Sequence, residues 1–143
     1  MVPLHPIAPD LAVAPQIDTS DIAALAERGY RTIINNRPDN EEPGQLAAAT
    51  ARQEAERRGL TYIHLPVTTG TLSAADVAAF RRAVQDNPKP IVAHCRSGTR
   101  CYLLWAAGQA LDGGDPAALV DEAARRNFDL RVLPGIIDRL RHS

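Results

Sequence analysis

Residues 91–100 read Ile91-Val92-Ala93-His94-Cys95-Arg96-Ser97-Gly98-Thr99-Arg100, and this stretch decides the fold. It opens with three apolar residues, as expected of a strand buried in a parallel sheet. The segment that follows, from about Cys101 to Leu111, is apolar nearly all round, which is typical of a helix in the middle of a domain. The sequence therefore predicts a central strand that leads, through a short loop, into a central helix.

Strand and helix signals alternate along the rest of the chain. The predicted strands are 11–14, 30–35, 60–65 and 91–93, and the predicted helices are 22–28, 45–58, a helix capped by Ser73 and Asp76, 101–111 and two short helices after Pro116. Consecutive parallel strands need crossover connections, which the helices supply. We therefore expect an α/β fold in three layers: a mostly parallel central sheet of four to five strands with helices on both faces.

Composition places the chain among ordinary globular proteins. Its 143 residues, 45% of them hydrophobic and 23% charged, suit a single domain spanning 1–143. The formal net charge is −1, which gives no reason to expect a nucleic acid or a membrane as partner. Residues 1–6 lack the basic start and apolar core of a secretory signal, so we expect a reducing cytoplasm where thiols stay free.

Three predicted loops start at one edge of this sheet. Ligands of parallel α/β sheets bind outside the carboxyl ends of the strands. The loops at 35–40 and 66–71 and the loop that begins at Cys95 all follow predicted strands. We therefore expect them to converge on one site.

Cys95 is the predicted nucleophile of that site. It lies between a strand and the N-terminus of a helix, where backbone N–H groups and the helix dipole favour a thiolate. The next five residues provide positive charge, hydroxyl groups or close backbone approach: Arg96, Ser97, Gly98, Thr99 and Arg100. A cysteine that only fills the core is the alternative, but it does not require these neighbours.

Several motifs resemble the small bacterial phosphatase-like or sulfurtransferase domain that is also the N-terminal domain type of β-lactamase hydrolase-like proteins. The motifs that carry the resemblance are 10–16, 34–39, Glu42-Pro43, 64–67 and 95–100, which together span roughly residues 10 to 110. The resemblance implies the fold of protein tyrosine and dual-specificity phosphatases. It also implies a partnership with a persulfide dioxygenase of the metallo-β-lactamase type, to which such domains are fused.

Two departures from the phosphatase pattern lead us to expect sulfur transfer. Phosphatases have five residues between the cysteine and the arginine, whereas four separate Cys95 from Arg100, as in rhodaneses. The loop at 66–72 also lacks the carboxylic acid that protonates a phosphatase's leaving group. By resemblance, Cys95 would take sulfur from thiosulfate or glutathione persulfide and pass it to a thiol such as glutathione. Arg100 would bind the anionic donor and Arg96 would steer it.

Four further residues lie in or beside these loops. His94 either orients the loop or is satisfied by backbone, and Arg37 either contacts substrate or forms a structural salt bridge. Cys101 is either a thiol that resolves oxidised Cys95 or a helix residue packed inward. His64 lies on an alternating strand and is expected to be structural. No group of residues has metal-ligand spacing, so we expect no metal and no cofactor.

Three functions stay open at this point. The first is the sulfurtransferase, and the second is a cysteine phosphatase that forms a Cys95 phosphocysteine on an aryl phosphate, whose leaving group tolerates a missing general acid. If that enzyme cleaved an alkyl phosphate, it would have to recruit Asp39, Glu41 or Glu42 as the acid. The third is a non-catalytic persulfide carrier or anion-binding module.

Overall fold

The computed structural model describes residues 1–142 as a five-stranded sheet between two layers of helices. The elements in chain order are β1 His5–Ala8, β2 Leu11–Ala14, α1 Thr19–Glu27, β3 Thr32–Asn35, α2 Ala48–Arg57, β4 Thr61–His64, α3 Ala74–Asp86, β5 Ile91–His94, α4 Thr99–Leu111, α5 Pro116–Arg125 and α6 Leu133–Arg141. A single 3₁₀ turn, Thr69–Thr71, precedes α3. The predicted three-layer α/β class is confirmed.

The sheet has the strand order β1-β2-β5-β3-β4, and only the β1–β2 pair is antiparallel. The predicted strand 91–93 is thus the central strand of the sheet. Alternate side chains of β5 point to opposite faces: Ile91 and Ala93 pack into one apolar core and Val92 into the other. Helices α1 and α2 cover the second core, while α3 to α6 cover the first.

Local sequence signals set several helix starts as predicted. Asp18 and Asp21 form a capping box at the start of α1, and Ser73 and Asp76 form another at α3. Pro134 lies in the first turn of α6, where its missing N–H has no helical partner to lose. Among the described residues, no helix has both the length and the apolar character needed to cross a bilayer.

Element ends differ from the predictions by one to three residues, as at α1, which begins at Thr19 rather than at residue 22, and one whole strand was not predicted. That strand, β1, contains Pro6, and an edge position with a register shift after Pro6 accommodates this proline. Helix α2 begins at Ala48 rather than at residue 45. The side chain of Asp39 accepts a hydrogen bond from the Ala48 N–H at 2.9 Å, so a residue distant in sequence sets this start. The residues before it form a longer loop at the carboxyl edge of the sheet.

Candidate active site

The carboxyl ends of the four parallel strands form one row across the sheet. Ala14 and Asn35 are both in register with His94, and Asn35 is also in register with His64. Every connection that leaves these residues therefore starts at the same edge. The converging loops predicted from the sequence are present: the one that begins at Cys95, the one from 36 to 47 and the one from 65 to 73.

Cys95 is the first residue after β5, and backbone amides surround its sulfur. The Gly98 N–H donates to Cys95 Sγ at 3.1 Å, and the amides of Ser97 and Cys101 also face it. The side chain lies in the protein interior, with the whole residue 1% exposed. The 13-residue helix α4 begins just beyond the loop, so its positive end adds to the stabilisation of a negative charge.

Cys101 contributes most to the acidity of Cys95. The Cys101 side chain, together with the backbone amides of Cys101, Ser97 and Gly98, lowers the pKa of Cys95 to about 5, against the opposing effect of burial. Burial raises the pKa of Cys101 itself well above its usual range, so Cys101 stays a neutral donor. The predicted inward packing of Cys101 is present, since the residue is fully buried. The role of resolving thiol, which was the alternative interpretation, stays a prediction.

Gly98 is required by the shape of the loop. Its φ of +95° lies in the left-handed region, and it is the N-cap of α4. A Cβ at this position would lie 3.2 Å from a ring carbon of Phe128. A glycine is therefore required here for two reasons: the left-handed turn favours it, and the Phe128 ring leaves little room for a side chain.

Arg100 reaches across the edge of the sheet to the loop after β3. Its Nη1 and Nη2 donate to the two carboxylate oxygens of Glu41, each at 2.8 Å, and Nη1 also donates to the Val67 carbonyl at 3.0 Å. These contacts use the end of the guanidinium. The face formed by Nε and the second N–H of Nη2 has no partner among residues 1–142. The Glu41 carboxylate, with a smaller contribution from the Cys95 thiolate, raises the pKa of Arg100.

Glu41 joins two arginines. It also accepts from Arg37 Nε at 2.8 Å, and the two guanidinium groups lower the pKa of the Glu41 carboxyl to about 2. Arg37 is 1% exposed and donates further to Gln16 and Glu42, both at 3.1 Å. This geometry favours the structural salt bridge that was the alternative interpretation of Arg37. Sequence reasoning missed the bridging carboxylate, because nothing local pairs Glu41 with a residue 59 positions away.

His94 is buried beneath the loop and stays neutral. Burial lowers its pKa to about 4. Its Nδ1 lies 3.5 Å from the Cys95 carbonyl oxygen, so the ring supports the backbone at the start of the loop. Its Nε2 has no hydrogen-bond partner in the described part of the chain. His64, expected to be structural, contacts the Arg37 carbonyl oxygen through Nε2 at 2.8 Å.

The remaining loop residues differ in what they contact. Arg96 and Ser97 are exposed at the rim, and the Arg96 carbonyl accepts from the Gln16 N–H. The Ser97 hydroxyl donates to Thr99 Oγ1 at 3.1 Å. Roles in substrate binding for Arg96, Ser97, Thr99 and Arg37 stay predictions.

None of the nearby carboxyl groups is placed as a proton donor. The loop that contains Thr68 carries hydroxyl groups and no carboxylate. Asp39 caps α2, Glu42 accepts from Arg37, and Glu41 is held ionised by its two arginines. The three carboxylates that the sequence offered as substitutes for a general acid are therefore committed to other contacts.

Comparison with known proteins identifies relatives of the chain. A family model for the phosphatase-like domain of β-lactamase hydrolase-like proteins matches residues 3–112. A β-lactamase hydrolase-like protein of Xylella fastidiosa (strain Temecula1) is 41% identical over 103 residues, which are 72% of this chain and 24% of that protein. The chain thus spans about a quarter of the length of this curated relative.

Solved structures place the fold among the phosphatases. A candidate phosphatase of Neisseria meningitidis Z2491 matches with a TM-score of 0.81 and 34% identity, over 91% of this chain and 92% of that one. Kinase-associated phosphatase matches with a TM-score of 0.69 and 14% identity, over 86% and 80% of the two chains. The fold is that of protein tyrosine and dual-specificity phosphatases, as the sequence resemblance implied.

The expectation of sulfur transfer is wrong, because the family and the structural neighbours are phosphatase-like. The spacing of four residues between Cys95 and Arg100 favoured the wrong reaction for a geometric reason. Counting from Cys95 to Arg100 suggested a small ring of amides, but the ring extends to the Cys101 amide, one residue later. The amides of Ser97, Gly98 and Cys101 therefore all lie beside the Cys95 sulfur. The chain belongs to the family of phosphatase-like domains of β-lactamase hydrolase-like proteins.

Proposed function

We propose that the protein is a cysteine-dependent phosphatase-type hydrolase that acts on aryl phosphates. The observation that carries this proposal is the Cys95 thiolate, whose pKa of about 5 leaves it ionised at neutral pH, inside a ring of backbone donors. Such a ring binds the oxygens of a phosphoryl group and keeps the nucleophile in line with phosphorus. The family match supports the same class of substrate.

In the first half-reaction the Cys95 thiolate attacks phosphorus. The bond from phosphorus to the aryl oxygen breaks, the aryl oxide leaves, and a phosphocysteine forms at Cys95. The free face of Arg100, formed by Nε and Nη2, offers two parallel donors for two phosphoryl oxygens. Glu41 holds the other end of the guanidinium, so the fork is oriented before substrate binds.

In the second half-reaction water attacks the phosphocysteine. The phosphorus–sulfur bond breaks, dihydrogen phosphate is released, and the thiolate returns. The thiolate is a good leaving group because the contacts with Cys101 and Gly98 stabilise its charge. No external acid is needed for this step.

The preference for aryl over alkyl phosphates follows from the absence of a placed acid. A phenol has a pKa of about 10, so its oxide leaves unprotonated far more readily than the oxide of an aliphatic alcohol. The loop around Thr68 supplies no carboxyl group, and Glu41 is ionised with a pKa of about 2. An alkyl phosphate such as phosphoserine is therefore expected to be a poor substrate.

Turnover of p-nitrophenyl phosphate and phosphotyrosine, compared with phosphoserine, tests the proposal. We expect hydrolysis of both aryl esters, at least about 100-fold less of phosphoserine, and loss of turnover in Cys95→Ser. Arg100→Lys is expected to raise KM and lower kcat, because lysine cannot donate bidentately. Arg131→Lys is the matched control, since this arginine is 83% exposed and pairs with Asp129 on the surface.

A rapid-quench experiment tests the intermediate. The Cys95 peptide is expected to carry a phosphoryl group during turnover of p-nitrophenyl phosphate. The proposal is overturned if the folded protein hydrolyses no aryl phosphate, or if Cys95→Ser hydrolyses them as fast as the wild type.

A further inference from the structure

We infer that Arg37 is a positioning residue for the proposed hydrolysis: it holds Glu41 in the place from which Glu41 orients Arg100. This role rests on the proposed function for the reaction that it serves, and it assigns Arg37 no contact with the phosphate ester. Arg37 is 1% exposed, so its side chain acts from the interior of the protein.

The backbone of Arg37 is fixed at the carboxyl edge of the sheet. Its N–H donates to Asn35 Oδ1 at 2.8 Å, and its carbonyl oxygen lies 2.8 Å from His64 Nε2. Asn35 and His64 are the last residues of β3 and β4, and they are in register. The Arg37 side chain therefore starts from a point that two paired strands define.

Three different acceptors surround the Arg37 guanidinium. Nε donates to Glu41 at 2.8 Å, Nη1 to Gln16 at 3.1 Å and Nη2 to Glu42 at 3.1 Å. Because each nitrogen has its own partner, the plane of the guanidinium is fixed relative to the loops that follow β2 and β3. The Gln16 backbone N–H in turn donates to the Arg96 carbonyl oxygen at 3.1 Å, which joins this arrangement to the Cys95 loop.

Glu41 needs a second partner in order to orient Arg100. It lies in the connection between β3 and α2, outside any helix or strand, and its side chain is 26% exposed. Arg37 Nε and Arg100 Nη2 both donate to Glu41 Oε1, while Arg100 Nη1 donates to Oε2. Arg37 thus sets the direction of the carboxylate, and the carboxylate sets the plane of the Arg100 fork.

A buried cation that only balances the charge of its acidic neighbours is the alternative. Arg37 faces two carboxylates, those of Glu41 and Glu42, and any cation in its place balances their charge. Positioning needs the planar fork of arginine, which the point charge of a lysine ammonium does not supply. Arg37→Lys separates the two roles, because it keeps the charge and removes the fork.

Turnover of p-nitrophenyl phosphate is the first measurement. We expect Arg37→Lys to lower kcat/KM about 10- to 100-fold with a raised KM, under conditions in which circular dichroism shows the variant to be folded. Arg52→Lys is the matched control, since Arg52 also donates to a backbone carbonyl, that of Tyr62, but is 46% exposed on α2. We expect the control to keep the wild-type kcat/KM. Arg37→Lys with wild-type kcat/KM and KM overturns the inference.

Alkylation of Cys95 tests the same orientation without hydrolysis. Iodoacetate is anionic and iodoacetamide is neutral, so the ratio of their rates reports the positive charge that Arg100 presents to the Cys95 thiolate. We expect this ratio to fall about 3- to 10-fold in Arg37→Lys, although the net charge is unchanged, and to keep its wild-type value in Arg52→Lys. If the wild type hydrolyses no aryl phosphate, the proposed function fails, whereas only an unchanged alkylation ratio overturns the role of Arg37.

Two more variants test the route through Glu41. We expect Arg37→Lys combined with Glu41→Gln to lower kcat/KM by less than the product of the single effects, because both substitutions release the same end of Arg100. The full product overturns the inference. Gln16→Ala removes one acceptor of Arg37 without changing any charge, and it replaces Arg37→Lys if that variant does not fold. We expect a lower alkylation ratio in Gln16→Ala as well, and a wild-type ratio there overturns the inference.

Discussion

Replacing Glu41 by glutamine removes one charge from the centre of the arginine network. Glu41 accepts hydrogen bonds at 2.8 Å from Arg37 Nε and from both Nη atoms of Arg100. The substitution leaves buried Arg37 with Glu42 as its remaining charged partner and releases the oriented end of Arg100. We expect Glu41→Gln to lower both the free energy of unfolding and the kcat/KM for an aryl phosphate.

The magnitude follows from the pKa of Glu41. Its two arginine partners lower this pKa from 4.5 to about 2. At about 1.4 kcal/mol for each pKa unit the upper limit is about 3 kcal/mol. Because the Glu41 side chain is 26% exposed, solvent screens part of the interaction, and we expect a loss of about 1–2 kcal/mol. A misplaced Arg100 is expected to reduce kcat/KM by up to about 100-fold.

The loss depends on pH in a defined direction. A carboxyl whose pKa is lowered by folding contributes stability that is present above its unfolded pKa and disappears as the pH falls through its folded pKa. The difference in unfolding free energy between wild type and Glu41→Gln is therefore expected to be complete above about pH 5. It should shrink as the pH falls from there towards 2, where the carboxyl of Glu41 takes up its proton.

Denaturant unfolding at a series of pH values measures this difference. Glu54→Gln is the matched control, because Glu54 also accepts from two arginines, Arg57 and Arg58, on the surface of α2. We expect the control to cost less stability and to leave kcat/KM unchanged, since those arginines are 72% and 40% exposed and far from the loop in sequence. A difference that does not vary with pH, or an equal loss of activity in Glu54→Gln, would refute the reasoning.

Two further predictions concern the loop itself. Cys101→Ala should raise the pKa of Cys95 above its value of about 5, because it removes the largest stabilising contact; a titration of thiolate absorbance measures this, and an unchanged midpoint would contradict it. Gly98→Ala should lower the free energy of unfolding by about 1–3 kcal/mol, since φ is +95° and the added methyl meets a ring at 3.2 Å. The same change at Gly135, within α6 and with open space around it, should stabilise the protein by about 0.5–1 kcal/mol, and equal effects at both glycines would contradict the argument.

The sequence predicted the elements that local chemistry controls. The capping boxes of α1 and α3 pair side chains three residues apart, so their signals lie within one helical turn. The apolar run of β5 and the nearly uniform apolar surface of α4 identified the centre of the fold, because only buried elements are apolar on all sides. Strand β1, which was not predicted, pairs with β2 across a short turn and contains Pro6.

The predicted function depended on the number of residues between Cys95 and Arg100. That number does not determine which groups meet in space. The four residues between Cys95 and Arg100 favoured sulfur transfer, and the family and fold overturned that interpretation. The number of residues in a loop does not state which amides point inward. The Cys101 amide faces the sulfur because α4 begins where it does, and the sequence motif alone does not specify this.

What the sequence determined by itself was the nucleophile and its setting: a cysteine between a buried strand and a buried helix, with Gly98 permitting the turn. These features depend on backbone conformation and on periodicity within a dozen residues. Tertiary structure alone decided what surrounds that nucleophile, including the thiol of Cys101 at its sulfur and the carboxylate of Glu41 between Arg37 and Arg100. The physical reason is that in-register parallel strands bring loops distant in sequence to one edge, where charges and thiols meet only after the chain has folded.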